Sequence, residues 1–95
     1  MTNPLDYAAN LRCSIAKTAS DLDAVFRLRY LCYQRRGAIA ERADRRFRDS
    51  FDDLPNQFSF LVRGEEDEPL ATVRISVIRP ELGWRESPAE RVYGD

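Results

Sequence analysis

The sequence predicts an α+β fold in which a three-stranded antiparallel meander has one long helix packed across it. Residues 20–37 repeat apolar side chains at helical spacing, and three short runs alternate apolar with polar residues. The polar stretch GEEDEP joins the last two runs as a hairpin would. With 95 residues, of which 43% are hydrophobic and 33% charged, the chain can form one small domain. We expect an extension over residues 1–10, a core over residues 11–78 and an irregular tail over residues 79–95.

The central helix is predicted to start at Ser20, whose hydroxyl can cap the first turn, with Asp23 completing a capping box. Gly37 suits a left-handed C-terminal cap. The core-facing stripe comprises Leu22, Val25, Phe26 and Tyr33. Arg29 lies on this same stripe, four residues before Tyr33. Either Arg29 buries its stem and extends its charge to solvent, or it pairs with carboxylates in a partly buried site.

The three predicted strands each present two unlike faces. The first contains Leu11, Cys13 and Ile15, and the second contains Phe58, Phe60 and Val62. The third is the longest and runs from Leu70 to Ile78. We expect the helix to cover its apolar face, formed by Ala71, Val73, Ile75 and Val77, while Arg74 points to the opposite face. Because no strand is predicted beyond it, its free edge favours self-association through residues 70–78.

The connecting segments are less regular. Residues 38–48 are polar and allow a second short helix, whereas the acids, Pro55 and Asn56 that follow predict a loop. Ser87 and Pro88 predict a further helical turn near the end of the chain, and Asn3 with Pro4 a weak one near its start. Trp84 is expected to be a packing residue.

The chain contains no histidine. This excludes histidine-activated serine or cysteine nucleophiles and most zinc sites, so acid–base chemistry would fall to carboxylates, tyrosines or a terminal amine. Cys13 and Cys32 are widely spaced, and we expect reduced core thiols in a cytoplasmic protein. No apolar run approaches the roughly 20 residues that cross a bilayer, and the N-terminus does not have the pattern of a signal peptide.

Positive charge is concentrated in one stretch. Eight of the fourteen arginines lie in the basic stretch that begins at Arg27 and ends at Arg48, although the net charge is −1. This stretch is either a solvated surface or a binding surface for an anionic partner such as an acyl carrier protein, coenzyme A or a nucleic acid. A nucleic acid is disfavoured because the sequence shows no recognition motif and no strand face of stacked aromatic residues.

Four charged residues are predicted to converge. Asp49 and Asp52 are three residues apart, so one helical turn would place both carboxylates on one side, within reach of Arg29 and Arg74. Such a group is either an ion-pair network that fixes the acidic loop to the helix or a site that positions a substrate.

The segments FRLRYLCYQRRG, RDSFDDLPN and FLVRGEEDEPLATVRISV resemble the N-terminal half of N-acyl amino acid synthases and acyl-homoserine-lactone synthases, two groups of GNAT-like acyltransferases. The resemblance implies catalytic roles for Asp49 and Asp52. It implies substrate-positioning roles for Arg29, Tyr33, Phe51 and Arg74. A tryptophan of the lactone synthases has no counterpart near Ile39, and Phe47 replaces one of their acids, which favours the N-acyl amino acid branch.

The resemblance implies transfer of an acyl chain from a carrier-protein or coenzyme A thioester, as co-substrate, to the amine of an amino acid or similar small molecule. It implies no permanently bound cofactor and no metal. The superfamily binds the donor's pyrophosphate at a Gly-rich turn before a helix, and these 95 residues contain no such turn. We therefore expect a partial domain that is inactive alone. The alternative is a non-catalytic binding or regulatory module derived from an acyltransferase.

Overall fold

The computed structural model describes residues 8–85. Its elements are β1 (Arg12–Ile15), α1 (Ala19–Arg35), β2 (Gln57–Arg63) and β3 (Pro69–Ser76), with 3₁₀ turns at Ser50–Asp53 and Pro80–Leu82. The strands form one antiparallel sheet in the order β1–β2–β3, and α1 packs on one face of it. This confirms the predicted α+β meander with a single long helix. The turns predicted at Asn3 and at Ser87 lie outside the described residues.

The start of α1 differs from the prediction. Thr18, not Ser20, is the N-cap, and its hydroxyl accepts the N–H of Asp21 at 3.0 Å. Asp23 completes no capping box and instead pairs with Arg27, one turn later. Oδ2 of Asp21 also accepts the N–H of Lys17, the residue before the cap, at 3.4 Å.

The end of α1 is as predicted. Gly37 has a left-handed backbone with φ of 71°, which glycine adopts without steric penalty. Its N–H donates to the carbonyl of Gln34 at 3.1 Å, and the N–H of Ala38 donates to the carbonyl of Tyr33 at 2.9 Å. These two bonds form a Schellman motif, which satisfies the last carbonyls of the helix.

Residues 38–48 form no helix, so the second short helix that the sequence allowed is absent from this segment. The segment is instead attached to α1 at separate points. The buried Tyr30 accepts the N–H of Arg42 on its hydroxyl at 3.0 Å, and the N–H of Phe47 donates to the carbonyl of Phe26 at 3.0 Å. Because these backbone donors bond to α1, they are not available for an i to i−4 ladder of their own.

The face of the sheet that packs against α1 is the opposite of the predicted one. Ser59 and Leu61 of β2 are buried beneath α1, and their partners in the register are Arg74 and Thr72 of β3. The face that was predicted to pack contains Ala71, Val73 and Ile75, which are exposed. The prediction was wrong because it weighed apolar area alone, whereas Arg74 turned toward α1 meets the carboxylates that it needs.

The buried residues are few and chemically mixed. The buried apolar residues are Val25, Tyr30, Phe51 and Leu61, and the buried polar ones are Arg29, Asn56 and Ser59. Both cysteines are free, but they are exposed, so the prediction of core thiols is wrong. Cys13 faces away from α1 on β1, and Cys32 lies on the outer side of α1. Within residues 8–85, no helix has the length and hydrophobicity to span a bilayer.

The sheet face away from α1 contains no charged side chain. It comprises Cys13, Ile15, Phe58, Phe60, Val62, Ala71, Val73 and Ile75, and we call it the open sheet face. Trp84 follows the second 3₁₀ turn and packs against Phe58, with ring centroids 6.4 Å apart. It therefore acts as a packing residue, as predicted.

Candidate functional site

The acidic residues before β2 form a compact turn with its own caps. Asp49 is the N-cap of the 3₁₀ turn Ser50–Asp53, and its Oδ1 accepts the N–H of Phe51 at 3.0 Å. In return, Oδ2 of Asp52 accepts the N–H of Asp49 at 2.9 Å. This capping box fixes both carboxylates on one side of the turn, as their spacing predicted. The buried ring of Phe51 anchors the turn beneath them.

Arg29 is paired and buried, which confirms the predicted ion pairing of this residue. Its Nη1 lies 2.7 Å from Oδ1 and 2.8 Å from Oδ2 of Asp52, and its Nη2 donates to Oγ of Ser59 at 2.7 Å. The side chains of Arg29 and Asp52 are only 8% and 7% exposed. The alternative, in which Arg29 extends its charge to solvent, is therefore wrong.

Arg74 joins the two carboxylates from the opposite side. Its two terminal nitrogens bind Asp49 in bidentate fashion, at 2.8 Å and 3.1 Å, and its Nη1 also lies 3.2 Å from Oδ1 of Asp52. We call Arg29, Asp49, Asp52 and Arg74 the ion cluster. It holds two positive and two negative charges, so burying it leaves no formal charge uncompensated.

The cluster shifts the titration of its most accessible member. Partial burial alone would raise the pKa of Asp49, but the hydrogen bonds and charge of Arg74 outweigh it, and the pKa of this carboxyl lies below its ordinary value. Partial burial disfavours the charged form of Arg74, but its bonds to Asp49 prevail and raise its pKa. Asp49 is therefore ionised at neutral pH, and its side chain is 33% exposed.

Two aromatic rings line the guanidinium groups. Cζ of Arg29 lies 5.6 Å from the ring centroid of Phe26, and Cζ of Arg74 lies 5.8 Å from that of Phe51. Tyr33, which was also predicted to belong to the site, lies elsewhere on α1 and packs edge-to-face on Phe47 at 5.0 Å. In the described part of the chain, Tyr33 has no hydrogen bond to the ion cluster.

Sequence reasoning missed Ser59, which supports the cluster from β2. A serine within an alternating run reads as an ordinary polar residue, yet Ser59 is buried and bonded to Arg29. Ser59 lies directly across from Arg74 in the register of β2 and β3. The sequence alone does not reveal this pairing.

A cavity of about 380 Å³ adjoins the ion cluster, with Asp52 and Ser59 in its wall. A second cavity, of about 560 Å³, lies between α1 and residues 41–46 and contains no member of the cluster. Among residues 8–85, no group of three or more side chains is arranged to bind a metal. The carboxylates that line the smaller cavity are those of Asp52 and Asp53, and Asp49 is not among its lining residues.

The model of the family described as N-acyl amino acid synthase FeeM matches residues 24–95. The match covers more than half of the chain and includes the whole ion cluster. The chain belongs to the N-acyl amino acid synthase FeeM family. No curated protein and no solved structure gave a significant match.

FeeM-family membership agrees with the branch that the sequence motifs favoured, that of the N-acyl amino acid synthases rather than the lactone synthases. It identifies the chain as acyltransferase-like. The match begins within α1 and continues past β3, so all four charged residues of the ion cluster lie within the matched range.

Proposed function

We propose that residues 1–95 form the N-terminal part of an N-acyltransferase that joins an acyl chain to the amine of an amino acid or similar small molecule. The observation that supports this proposal is the FeeM-family match over residues 24–95, which contains every member of the ion cluster. The proposed donor is the thioester of an acyl carrier protein or of coenzyme A.

In the proposed reaction, the amine nitrogen attacks the carbonyl carbon of the thioester. A C–N bond forms, the C–S bond breaks, and the proton lost by nitrogen passes through water to the departing thiolate. No covalent intermediate with the protein is required, in agreement with a chain that contains no histidine to activate a nucleophile.

Asp49 is the proposed catalytic carboxylate. It is the most exposed member of the ion cluster, and its lowered pKa keeps it ionised at neutral pH. An ionised carboxylate can accept a hydrogen bond from the incoming amine and hold the nitrogen in place. Asp52, which was also predicted to be catalytic, is almost fully buried between two arginines, so we assign it the positioning of Asp49.

The arginines are proposed to position the acidic turn and not to contact the reacting atoms. Arg29 fixes Asp52, and Arg74 fixes Asp49 and packs on Phe51. Tyr33 is proposed to hold residues 38–48 through its contact with Phe47, and so to act at a distance from the chemistry.

The charge distribution suggests where a carrier protein would dock. Five of the eight arginines of the basic stretch are paired with aspartates. Arg35, Arg36 and Arg45 are exposed, and within the described residues they have no ion pair. We propose that an acidic carrier protein docks at these three unpaired charges.

Acyl transfer is tested with the complete product of the reading frame that contains these residues. It is incubated with a long-chain acyl carrier thioester or acyl-coenzyme A and a panel of amino acids, and N-acyl products are measured by mass spectrometry. We expect an amide product. The Asp49→Asn variant should form it at a rate reduced by about 10²-fold. Glu65→Gln, on the exposed hairpin, is the matched control. Thioester binding without turnover would support the non-catalytic module instead.

A further inference from the structure

We infer that the cavity beside the ion cluster binds an α-amino acid with an uncharged, apolar side chain, and that the Arg48–Asp53 pair at its rim binds both charges of the zwitterion. This inference rests on the proposed function for its choice of an amino acid. It adds the place where the acceptor binds, the residues that recognise it and the class of side chain that fits.

Apolar residues contribute part of the cavity lining. They are Leu22 and Phe26 of α1, together with Ile15 and Phe58 at the end of the sheet, and Gln57 also lines the cavity. The volume of about 380 Å³ equals roughly a dozen water molecules at about 30 Å³ each, which is room for a side chain of the size of leucine or phenylalanine. A pocket of this kind gains affinity from apolar area that leaves water.

The rim carries one positive and one negative side chain. Nη2 of Arg48 bonds to Oδ1 of Asp53, and both side chains are more than half exposed. Exposed pairs of this kind contribute little to stability, so an incoming ligand can replace the bond at small cost. The carboxylate of an amino acid matches the guanidinium fork of Arg48, and its ammonium matches Asp53.

Arg48 is held in place for this role by an aromatic ring. Its Cζ lies 5.6 Å from the ring centroid of Phe26, which also lines the cavity. The same ring also lies 5.6 Å from Cζ of Arg29, so Phe26 contacts both the ion cluster and Arg48. A ligand bound at the rim by its backbone would direct its side chain along this ring.

The inner wall selects against charged side chains. Asp52 and Ser59 form that wall, but Asp52 is already bound by Arg29 and Arg74, and Ser59 already accepts a bond from Arg29. A lysine or aspartate side chain would lose its hydration there without gaining a counter-ion. The cavity therefore discriminates between amino acids by the charge of the side chain.

Asp53 also connects this site to the proposed catalytic residue along the chain, although Asp49 is not one of the residues that line the cavity. Asp53 belongs to the same 3₁₀ turn, Ser50–Asp53, that Asp49 caps. An ammonium bound at Asp53 thus lies on the turn that carries the proposed catalytic carboxylate.

Binding is measured by NMR titration, without any acyl donor, on the same complete product of the reading frame that is used for the acyl-transfer assay. The probes are L-leucine, 3-methylbutylamine, which lacks the carboxylate, 4-methylpentanoic acid, which lacks the ammonium, and L-aspartate. We expect L-leucine to bind and each of the other three probes to bind at least about tenfold more weakly. The amine and the acid each lose one charge-assisted contact, and L-aspartate buries the charge of its side chain. Shifts are expected at Phe26 and Phe58 and not at residues 41–46.

Three variants complete the test. Arg48→Gln and Asp53→Asn should each weaken L-leucine binding about tenfold or more. Arg42→Gln, which breaks the exposed pair with Asp44 outside the cavity, should leave L-leucine binding unchanged.

Equal binding of L-leucine and 3-methylbutylamine, or full binding of L-leucine by Arg48→Gln, would overturn the inference. If the wild type transfers acyl groups and Arg48→Gln leaves the KM for the amino acid unchanged, this site is refuted and the proposed function stands. Binding at this site without any transfer would refute only the function.

Discussion

Arg29 and Asp52 are joined by two hydrogen bonds from a single nitrogen, Nη1, at 2.7 Å and 2.8 Å. Both side chains are more than nine-tenths buried, so water cannot replace either partner. A buried pair of this kind contributes little compared with a well-packed apolar pair, but removing one member leaves a charge without compensation. The pair therefore fixes the acidic turn to α1.

The first prediction concerns the loss of Arg29. Arg29→Ala should lower the free energy of unfolding by about 3–5 kcal/mol, because Asp52 would keep its buried charge and lose its main partner. Urea denaturation measures this. Arg27→Ala removes an exposed partner of Asp23 on the same helix and should cost only about 1 kcal/mol or less. Equal losses for the two variants would show that the burial of Arg29 has no energetic consequence.

The second prediction separates the pair from its surroundings. A double-mutant cycle with Arg29→Ala and Asp52→Asn should give a coupling energy of about 1–3 kcal/mol, since the two residues touch. The same cycle for Arg12 and Asp67, an exposed pair at 2.8 Å, should give less than about 1 kcal/mol. If the two cycles agree, the ion cluster is a coincidence of charge and not a coupled unit.

Much of the site followed from the sequence. Arg29 stands on an apolar helical stripe, and a guanidinium with five donors cannot be buried there without acceptors. The three-residue spacing of Asp49 and Asp52 supplied those acceptors on one side of a turn. Ser59 could not be found in this way, because its importance depends on a long-range register between β2 and β3.

The faces of the sheet show where sequence reasoning failed. Alternation in β3 correctly separates Val73 from Arg74, but it does not say which side meets the helix. The larger apolar face was expected to pack, and the opposite one does, because the ion cluster occupies the space under α1. The contribution of tertiary ion pairs cannot be read from a local pattern.

The third prediction concerns acid. A carboxyl whose pKa is lower in the folded than in the unfolded chain stabilises the fold above its ordinary pKa and loses that contribution as pH falls through the lower, folded value. Asp49 is such a group, with an ordinary value of 3.8. The difference in unfolding free energy between wild type and Asp49→Asn should therefore stay constant above about pH 5 and shrink below about pH 4. Urea denaturation at a series of pH values measures it, with Glu65→Gln as the charge-matched control. A difference that does not change with pH would contradict the pairing with Arg74.

The fourth prediction concerns the carrier protein. Replacing Arg35, Arg36 and Arg45 together by glutamine should raise the Kd for an acyl carrier protein about tenfold or more and reduce its salt dependence, because these three charges have no ion pair among residues 8–85. Fluorescence anisotropy at several salt concentrations measures it. The matched variant replaces Arg42, Arg46 and Arg27, which are already paired, and should change the Kd less. A larger effect from the paired set would place docking elsewhere.

The last prediction concerns the edge of the sheet. β3 spans Pro69–Ser76, whereas the predicted strand ran from Leu70 to Ile78, and in the described residues no strand pairs with its outer side. Charged residues on an edge strand normally oppose pairing with another chain, but Arg74 is bound to Asp49 beneath α1 and cannot serve in that way. Next to the same edge, the open sheet face presents Val73, a residue that is 52% exposed. We propose that this chain self-associates through β3 at micromolar concentration, as sedimentation velocity would show.

Val73→Lys should restore the monomer by placing a charge at the edge, whereas Glu66→Lys on the hairpin should not. A wild-type monomer with rapid hydrogen exchange along β3 would mean that this edge is exposed without being adhesive, and the proposal would then be wrong.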